Sequence, residues 1–66
     1  MIPVLSTNVA AYMYDPVTRT LTVNFLSGGV YEYYDVYSGL AAEFEMPYPW
    51  RRVGKAVMAH PCRRLA

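Results

Sequence analysis

The fold is decided by residues 20–34, TLTVNFLSGGVYEYY, which read as two β-strands joined by a tight turn. The first half alternates apolar and polar side chains, which is the two-residue period of a strand buried on one face. Its apolar residues are Leu21, Val23 and Phe25. The Gly28-Gly29 pair then interrupts the pattern, and glycine tolerates the positive φ angles that short hairpins require. This stretch therefore predicts an antiparallel hairpin.

A further strand is predicted before this hairpin, over Val9 to Tyr14. Strict alternation puts these side chains on two sides, with Val9, Ala11 and Met13 on one and Ala10, Tyr12 and Tyr14 on the other. Asp15 and Pro16 then begin a turn, because proline presets φ at the second turn position and aspartate caps the first. Three strands joined by two short turns predict an antiparallel meander, with residues 1–8 as an irregular or edge-like lead-in.

The first of two predicted helices follows the meander, within Tyr37 to Met46. Leu40 and Phe44 are four residues apart, which is the spacing of an amphipathic helix. Asp35 is expected to cap it, and the prolines that follow end it.

The second helix is predicted to begin near Pro49, since proline is favoured in a first helical turn. Its predicted apolar stripe is Trp50, Val53, Val57 and Met58. Pro61 is expected to end it, and residues 62–66 are assigned to a candidate flexible tail.

These elements predict one α+β domain over residues 1–66: a three-stranded antiparallel β-meander followed by two short α-helices packed on one face. A chain of 66 residues has a marginal core, and small domains usually add a disulfide, a metal or a partner subunit. Cys62 is the only cysteine and His60 the only histidine. Because 55% of the residues are hydrophobic, we expect a homo-oligomer that covers apolar surface.

No segment has the features of a signal peptide, and no apolar run approaches the roughly 20 residues of a membrane helix. One unpaired cysteine suits a reducing compartment. We therefore expect a cytoplasmic protein with no membrane partner.

The charges are sorted along the chain, although the net charge is only +1. Residues 1–49 hold five acids and one base, a balance of −4, whereas residues 50–66 hold five bases and no acid, a balance of +5. The five bases are Arg51, Arg52, Lys55, Arg63 and Arg64. They are candidate ligands for phosphate, because a guanidinium binds two oxygens at once. The alternative is a solvated helix face that balances the acidic half.

The seven tyrosines and one tryptophan offer aromatic surface to a ligand. Tyr31 and Tyr33 share one strand face, where they either stack on bases or pack in the core as a structural pair. Tyr12 and Tyr34 are then the candidates for exposed or subunit-facing rings. Trp50 is either a stacking platform or the large anchor of the second helix. Tyr12, Tyr34 and Trp50 join the five bases as candidate residues of an anion or nucleotide site.

Catalytic chemistry has little support in the sequence. His60 and Cys62 are two ligands where a structural zinc site takes four, and Cys62 has no third group to orient a base for nucleophilic catalysis. The acids form no convincing acid–base pair, and Ser27-Gly28-Gly29 is a hairpin turn rather than a phosphate loop. We predict a protein that is not an enzyme and has no metal or cofactor.

Three stretches resemble the KTSC domain family: Ser6 to Asp15, Thr20 to Phe25, and Gly29 to Tyr33, which contains the hallmark Tyr-x-Tyr. The resemblance extends roughly from Ser6 to Met58, and the helical half departs from the family at Met46-Pro47-Tyr48-Pro49. The family is named for its place at the C-terminus of some lysyl-tRNA synthetases and also occurs as short free-standing bacterial and phage proteins. The resemblance implies a suggested role in RNA binding, and no catalytic residues.

Two functions are therefore expected for this small domain. The first is binding of RNA or a small phosphorylated or cyclic nucleotide, with a sequestering, anti-defence role if a phage encodes the protein. The second is a phage-type protein that binds and inhibits a host protein through an apolar surface, in the host cytoplasm.

Overall fold

The computed structural model describes all 66 residues as a five-stranded antiparallel sheet with two helices on one face. The sheet order is β1-β2-β3-β4-β5, which follows the chain. The strands are β1 (Ile2–Pro3), β2 (Val9–Asp15), β3 (Thr20–Phe25), β4 (Val30–Tyr33) and β5 (Cys62–Arg64). The helices are α1 (Ser38–Ala42), a 3-10 turn (Glu43–Glu45) and α2 (Pro49–Met58). The predicted α+β class, antiparallel sheet and two helices are confirmed, but the sheet has five strands rather than three.

Both additional strands lie in segments outside the predicted meander and helices. β1 lies within the predicted lead-in and pairs with β2. β5 lies within the residues assigned to a flexible tail, where it pairs with β4 and places Arg63 opposite Glu32. The backbone N–H of Leu65 also donates to the carbonyl of Val30 over 2.7 Å. The assignment of residues 62–66 to a tail was wrong, because the free edge of β4 offers these residues hydrogen bonds.

A bulge in β2 changes which face Val9 occupies. Val9 lies opposite Phe25, whereas Ala11 lies opposite Asn24, so the register shifts between them. An extra residue in one strand reverses the alternation of all residues before it. Val9 is therefore buried in the core with Tyr12. Strict alternation had predicted that Val9 shares a side with Ala11, and this prediction was wrong.

The core lies between the sheet and the helices. It consists of Val9, Tyr12, Leu21, Val23, Tyr33, Val36, Leu40, Ala41, Phe44 and Val57. We call this side of the sheet the helix face and the other side the open face. Val57 of α2 is fully buried and Trp50 and Val53 pack against the core, but Met58 is 56% exposed and lies outside the predicted stripe.

The two aspartates predicted to act as caps, Asp15 and Asp35, have different outcomes. Asp15 Oδ1 accepts the backbone N–H of Val17 over 2.9 Å, which confirms its predicted role in the turn. Asp35 does not cap α1, because Tyr37 occupies the cap position and no side chain bonds there. Asp35 instead has a positive φ of 59° and pairs with Arg19 at 3.5 Å. No helix has the length and apolar character that crossing a membrane requires.

Candidate nucleic-acid interface

The five predicted phosphate ligands do not form one patch. Arg63 and Arg64 are consecutive residues of β5, so their side chains point to opposite faces of the sheet. Arg63 lies on the open face, opposite Glu32. Arg64 lies on the helix face, opposite Tyr31. Strand geometry thus separates two bases that are adjacent in the sequence.

Arg52 is held by contacts within the chain. Its guanidinium forms an ion pair with the carboxylate of Glu43, and its Nη2 donates to the Glu43 carbonyl over 2.9 Å. Its Nε donates to the carbonyl of Pro47 over 3.2 Å. These bonds fasten the first turn of α2 to the 3-10 turn, so Arg52 serves the fold rather than offering a free guanidinium.

The other two bases of α2 are unpaired. The Arg51 guanidinium lies over the ring of Tyr48, 5.5 Å from the ring centroid. Lys55 lies four residues later, which places it one helical turn along the same side. Both are exposed, and neither pairs with a carboxylate. They provide two free positive charges on the surface of α2.

Arg64 makes the second contact of a guanidinium with an aromatic ring, after that of Arg51 with Tyr48. Its guanidinium carbon lies 5.6 Å from the centroid of the half-buried Tyr31 ring. Its Nε donates to the Ala66 carbonyl over 2.8 Å, and its two Nη groups have no hydrogen-bond partner in the chain. Gly29 permits this arrangement, because a Cβ there would lie 2.8 Å from Tyr31 Cε1.

Tyr31 belongs to an aromatic cluster that joins β3, β4 and α2. Phe25 meets Tyr31 edge-on with centroids 5.7 Å apart, and meets Trp50 edge-on at 4.8 Å. Tyr33 stacks with Tyr31 at 6.3 Å and contacts Trp50 at the same distance. Burial raises the pKa of Tyr33, and the neighbouring Cys62 and Tyr31 add to the effect. Tyr33 is therefore a structural residue, and Trp50 is the anchor of α2.

The half-buried members of this cluster and Arg64 define one surface. We call Phe25, Tyr31, Trp50 and Arg64 the Arg64 surface. Phe25 and Gly29 were not among the site residues predicted from the sequence. Phe25 shares its strand face with Leu21 and Val23, and this alternation alone does not distinguish a core residue from one at the margin of the helices.

The predictions for Tyr12 and Tyr34 have different outcomes. Tyr12 is only 4% exposed and packs against Phe44 with ring centroids 5.4 Å apart, so its predicted exposure is wrong. Burial raises its pKa, and the nearby Glu45 carboxylate raises it further. Tyr34 is half-buried, and its hydroxyl donates to Glu32 Oε1 over 2.8 Å, which raises the pKa of Tyr34.

His60 and Cys62 form no ligand set for a metal. His60 Nδ1 lies 3.1 Å from the Tyr34 carbonyl, so this nitrogen carries the proton that is donated there. Cys62 is a free, exposed thiol on β5. No three His, Cys, Asp or Glu side chains are close enough together to hold a metal ion.

The concave sites of the molecule lie away from the Arg64 surface. A depression of about 480 Å³ lies by the open face and is lined by residues such as Met13, Thr22 and Glu32. A second, of about 250 Å³, is lined by Ile2, Leu5, Tyr12, Phe44, Met46 and others between β1 and the 3-10 turn. The only base that lines any depression is Arg19, in a cleft beside Tyr14 and Tyr37. No residue of the Arg64 surface lines any of these depressions.

The fold and its surfaces define a small α+β domain with an open antiparallel sheet and a mixed aromatic and basic margin. The sequence model of the KTSC domain family matches residues 5–46, and the chain belongs to this family. The fold is similar to the crystal structure of a KTSC domain protein from Yersinia pestis. The TM-score is 0.85, with 26% identity over 97% of this chain and 93% of that chain. No curated protein matches the sequence. The resemblance inferred from the three meander stretches is confirmed.

Proposed function

We propose that this domain binds single-stranded RNA, without catalysis, through the Arg64 surface. The observation that carries the proposal is the position of the Arg64 guanidinium over Tyr31, with both Nη groups free. A free guanidinium fork suits a phosphate, and the guanidinium plane, which rests on the Tyr31 ring, suits stacking with a base. Arg51 and Lys55 supply two further unpaired charges on α2 for a flexible backbone.

The shape of this surface favours a strand over a small nucleotide. Small ligands bind in concave sites that bury most of their surface, whereas single strands lie along open grooves and stack on exposed rings. Such stacking contributes about 1–3 kcal/mol per base. A cyclic or linear nucleotide is the second ligand to test. To enclose such a small ligand, the Arg64 surface would need another subunit to form the opposite wall of a binding site.

Binding can be measured by the fluorescence anisotropy of a short labelled single-stranded RNA at low and at physiological salt. We expect affinity to fall with salt and Arg64→Ala to weaken it about tenfold, because one charged hydrogen-bonding group is lost. Arg64→Lys should recover only part of the loss, because it keeps the charge without the fork.

Arg19→Ala is the matched control. Arg19 is an exposed base that lies in the cleft beside Tyr37 and is not part of the Arg64 surface. It should leave RNA affinity nearly unchanged. An equal loss in the two alanine variants, or no RNA binding at low salt, would contradict the proposal. The same variants tested with cyclic and linear nucleotides distinguish the two ligands.

A second candidate function is binding of a host protein through the depression between β1 and the 3-10 turn. Ile2, Leu5 and Met46 each expose more than half of their surface around it, and the buried rings of Tyr12 and Phe44 form its floor. Apolar side chains grouped at an opening are typical of protein contact sites. The unpaired Glu45 at the same opening favours a partner segment with a basic residue beside an apolar one.

Capture from host extract, after nuclease treatment and in high salt, tests this second function. Leu5→Glu should abolish retention of the partner, because it places a charge at the opening. Val17→Glu is the control, since Val17 is exposed in the β2–β3 turn and does not line the depression. An empty capture, or equal retention by the two variants, would count against it.

A further inference from the structure

The open face of the sheet has no cover within the chain. Both helices and every aromatic ring of β2, β3 and β4 lie on the other side. Four side chains of the open face are small or β-branched, namely Ala11, Thr20, Thr22 and Val30, and the others are Met13, Asp15, Asn24, Glu32 and Arg63. Such a face lets a second sheet approach closely, since stacked sheets pack about 10 Å apart.

Two opposite charges on the open face, those of Glu32 and Arg63, do not pair with each other. Glu32 and Arg63 are directly opposite in the β4–β5 register, yet they form no ion pair. Glu32 Oε1 instead accepts the hydroxyl proton of Tyr34, and Arg63 has no carboxylate partner. A two-fold axis through this face brings Glu32 of each copy to Arg63 of the other, so the face is complementary to itself.

The relief of this face is also suited to a copy of itself. Met13 is 49% exposed and stands beside the depression of about 480 Å³ that Thr18, Thr20 and Thr22 help to line. Met13 is the largest apolar side chain of the open face, and nothing within the chain covers it. A flexible thioether side chain fills irregular spaces of this kind.

From these charges and this shape we infer that two copies of the chain associate through their open faces. A nucleic acid would meet the carboxylates of Asp15 and Glu32 there, and a strongly basic partner would meet Arg63. A second copy presents the matching charge at each point. Association also gives a chain of this size the additional buried surface that small domains usually require.

The test is the mass in solution, measured by light scattering and sedimentation over a range of concentrations. The wild-type chain should show twice the monomer mass. Glu32→Arg and Arg63→Glu should each be monomeric, because each places like charges together twice in the dimer. An equimolar mixture of the two variants should recover the dimer, because both contacts are then between opposite charges.

Lys55→Glu is the control, because it reverses a charge on α2, away from the open face, and should remain dimeric. Circular dichroism of each variant establishes that it is folded. A monomeric wild-type chain at every concentration overturns the inference. So do dimeric single variants, or folded monomeric variants that fail to associate when mixed. RNA affinity of Glu32→Arg is a separate readout, since the Arg64 surface lies on the opposite side of the sheet.

Discussion

The indole of Trp50 meets the ring of Phe25 edge-on, with 4.8 Å between the ring centroids and 86° between the ring planes. This contact joins α2 to β3. The family match ends at residue 46, so α2 lies beyond it and the aromatic contact attaches this helix to the matched meander. Gly54 makes room for the indole, because a Cβ there would lie 3.1 Å from its ring atoms.

Replacing this anchor should loosen α2. We expect Trp50→Ala to lower the free energy of unfolding by about 2 kcal/mol, less than the 3–5 kcal/mol typical of fully buried aromatics, because Trp50 is half-buried. Urea unfolding followed by circular dichroism measures the change. Met58→Ala, an exposed change in the same helix, should cost less than about 0.5 kcal/mol. Equal losses would show that Trp50 is not the anchor.

The hydroxyl of Tyr14 ties β2 to the segment that precedes α1. It donates to the buried Val36 carbonyl over 2.5 Å. Tyr14→Phe keeps the ring and leaves this carbonyl without its partner, so we expect a loss of about 1–2 kcal/mol in unfolding free energy. Tyr37→Phe is the matched control, because the Tyr37 ring is exposed and its hydroxyl makes no hydrogen bond within the chain. An unchanged stability in Tyr14→Phe would contradict the role of this bond.

Alkaline pH should destabilise the fold through its buried tyrosines. Burial raises the pKa of Tyr33 above its ordinary value of 10.0, and the pKa of Tyr12 moves in the same direction. The unfolded chain therefore releases these protons near pH 10 while the folded chain retains them. The contribution of these protonated tyrosines to the free energy of unfolding is complete below about pH 10. It is lost as the pH rises through their pKa in the folded chain.

Urea midpoints measured from neutral pH to beyond pH 10 test this sign. The midpoint should fall above about pH 10. Tyr33→Phe removes one of the titrating groups, so its midpoint should fall less steeply than that of the wild-type chain. A variant with the same slope as the wild type would exclude Tyr33 as a source of the dependence.

The β5 pairing should be visible as protection of β4 amides from hydrogen exchange. The N–H of Val30 donates to Ala66 over 3.2 Å, and the N–H of Tyr34 donates to Pro61 over 2.8 Å. We expect NMR to show protection of Val30 in the full chain and its loss when residues 62–66 are deleted. Phe25, whose N–H donates to Gly29 in the hairpin turn, should stay protected in both. Rapid exchange at Val30 in the full chain would mean that β5 is not stably paired.

The candidate site was predictable only in part. The sequence left two roles open for Trp50, a stacking platform or the anchor of α2, and its contacts with Phe25 and Tyr33 are those of an anchor. The roles of Arg52 and Arg64 depend on what lies beside them, and Glu43 and Tyr31 are nine and 33 residues away. Charge composition alone does not show that the Arg52 guanidinium bonds to the 3-10 turn, whereas the Arg64 guanidinium lies over a ring with its Nη groups unbonded.

The sequence by itself determined the features that depend on near neighbours. Alternation in residues 20–25, the Gly28-Gly29 turn and a helix that starts at Pro49 all follow from periods and backbone preferences within a few residues. The tertiary structure alone decided that β5 closes onto β4, that a bulge turns Val9 inward, and which side of the sheet receives Arg63. These outcomes depend on a free strand edge and on the pairing register across the sheet, and neither leaves a periodic signal in the local sequence.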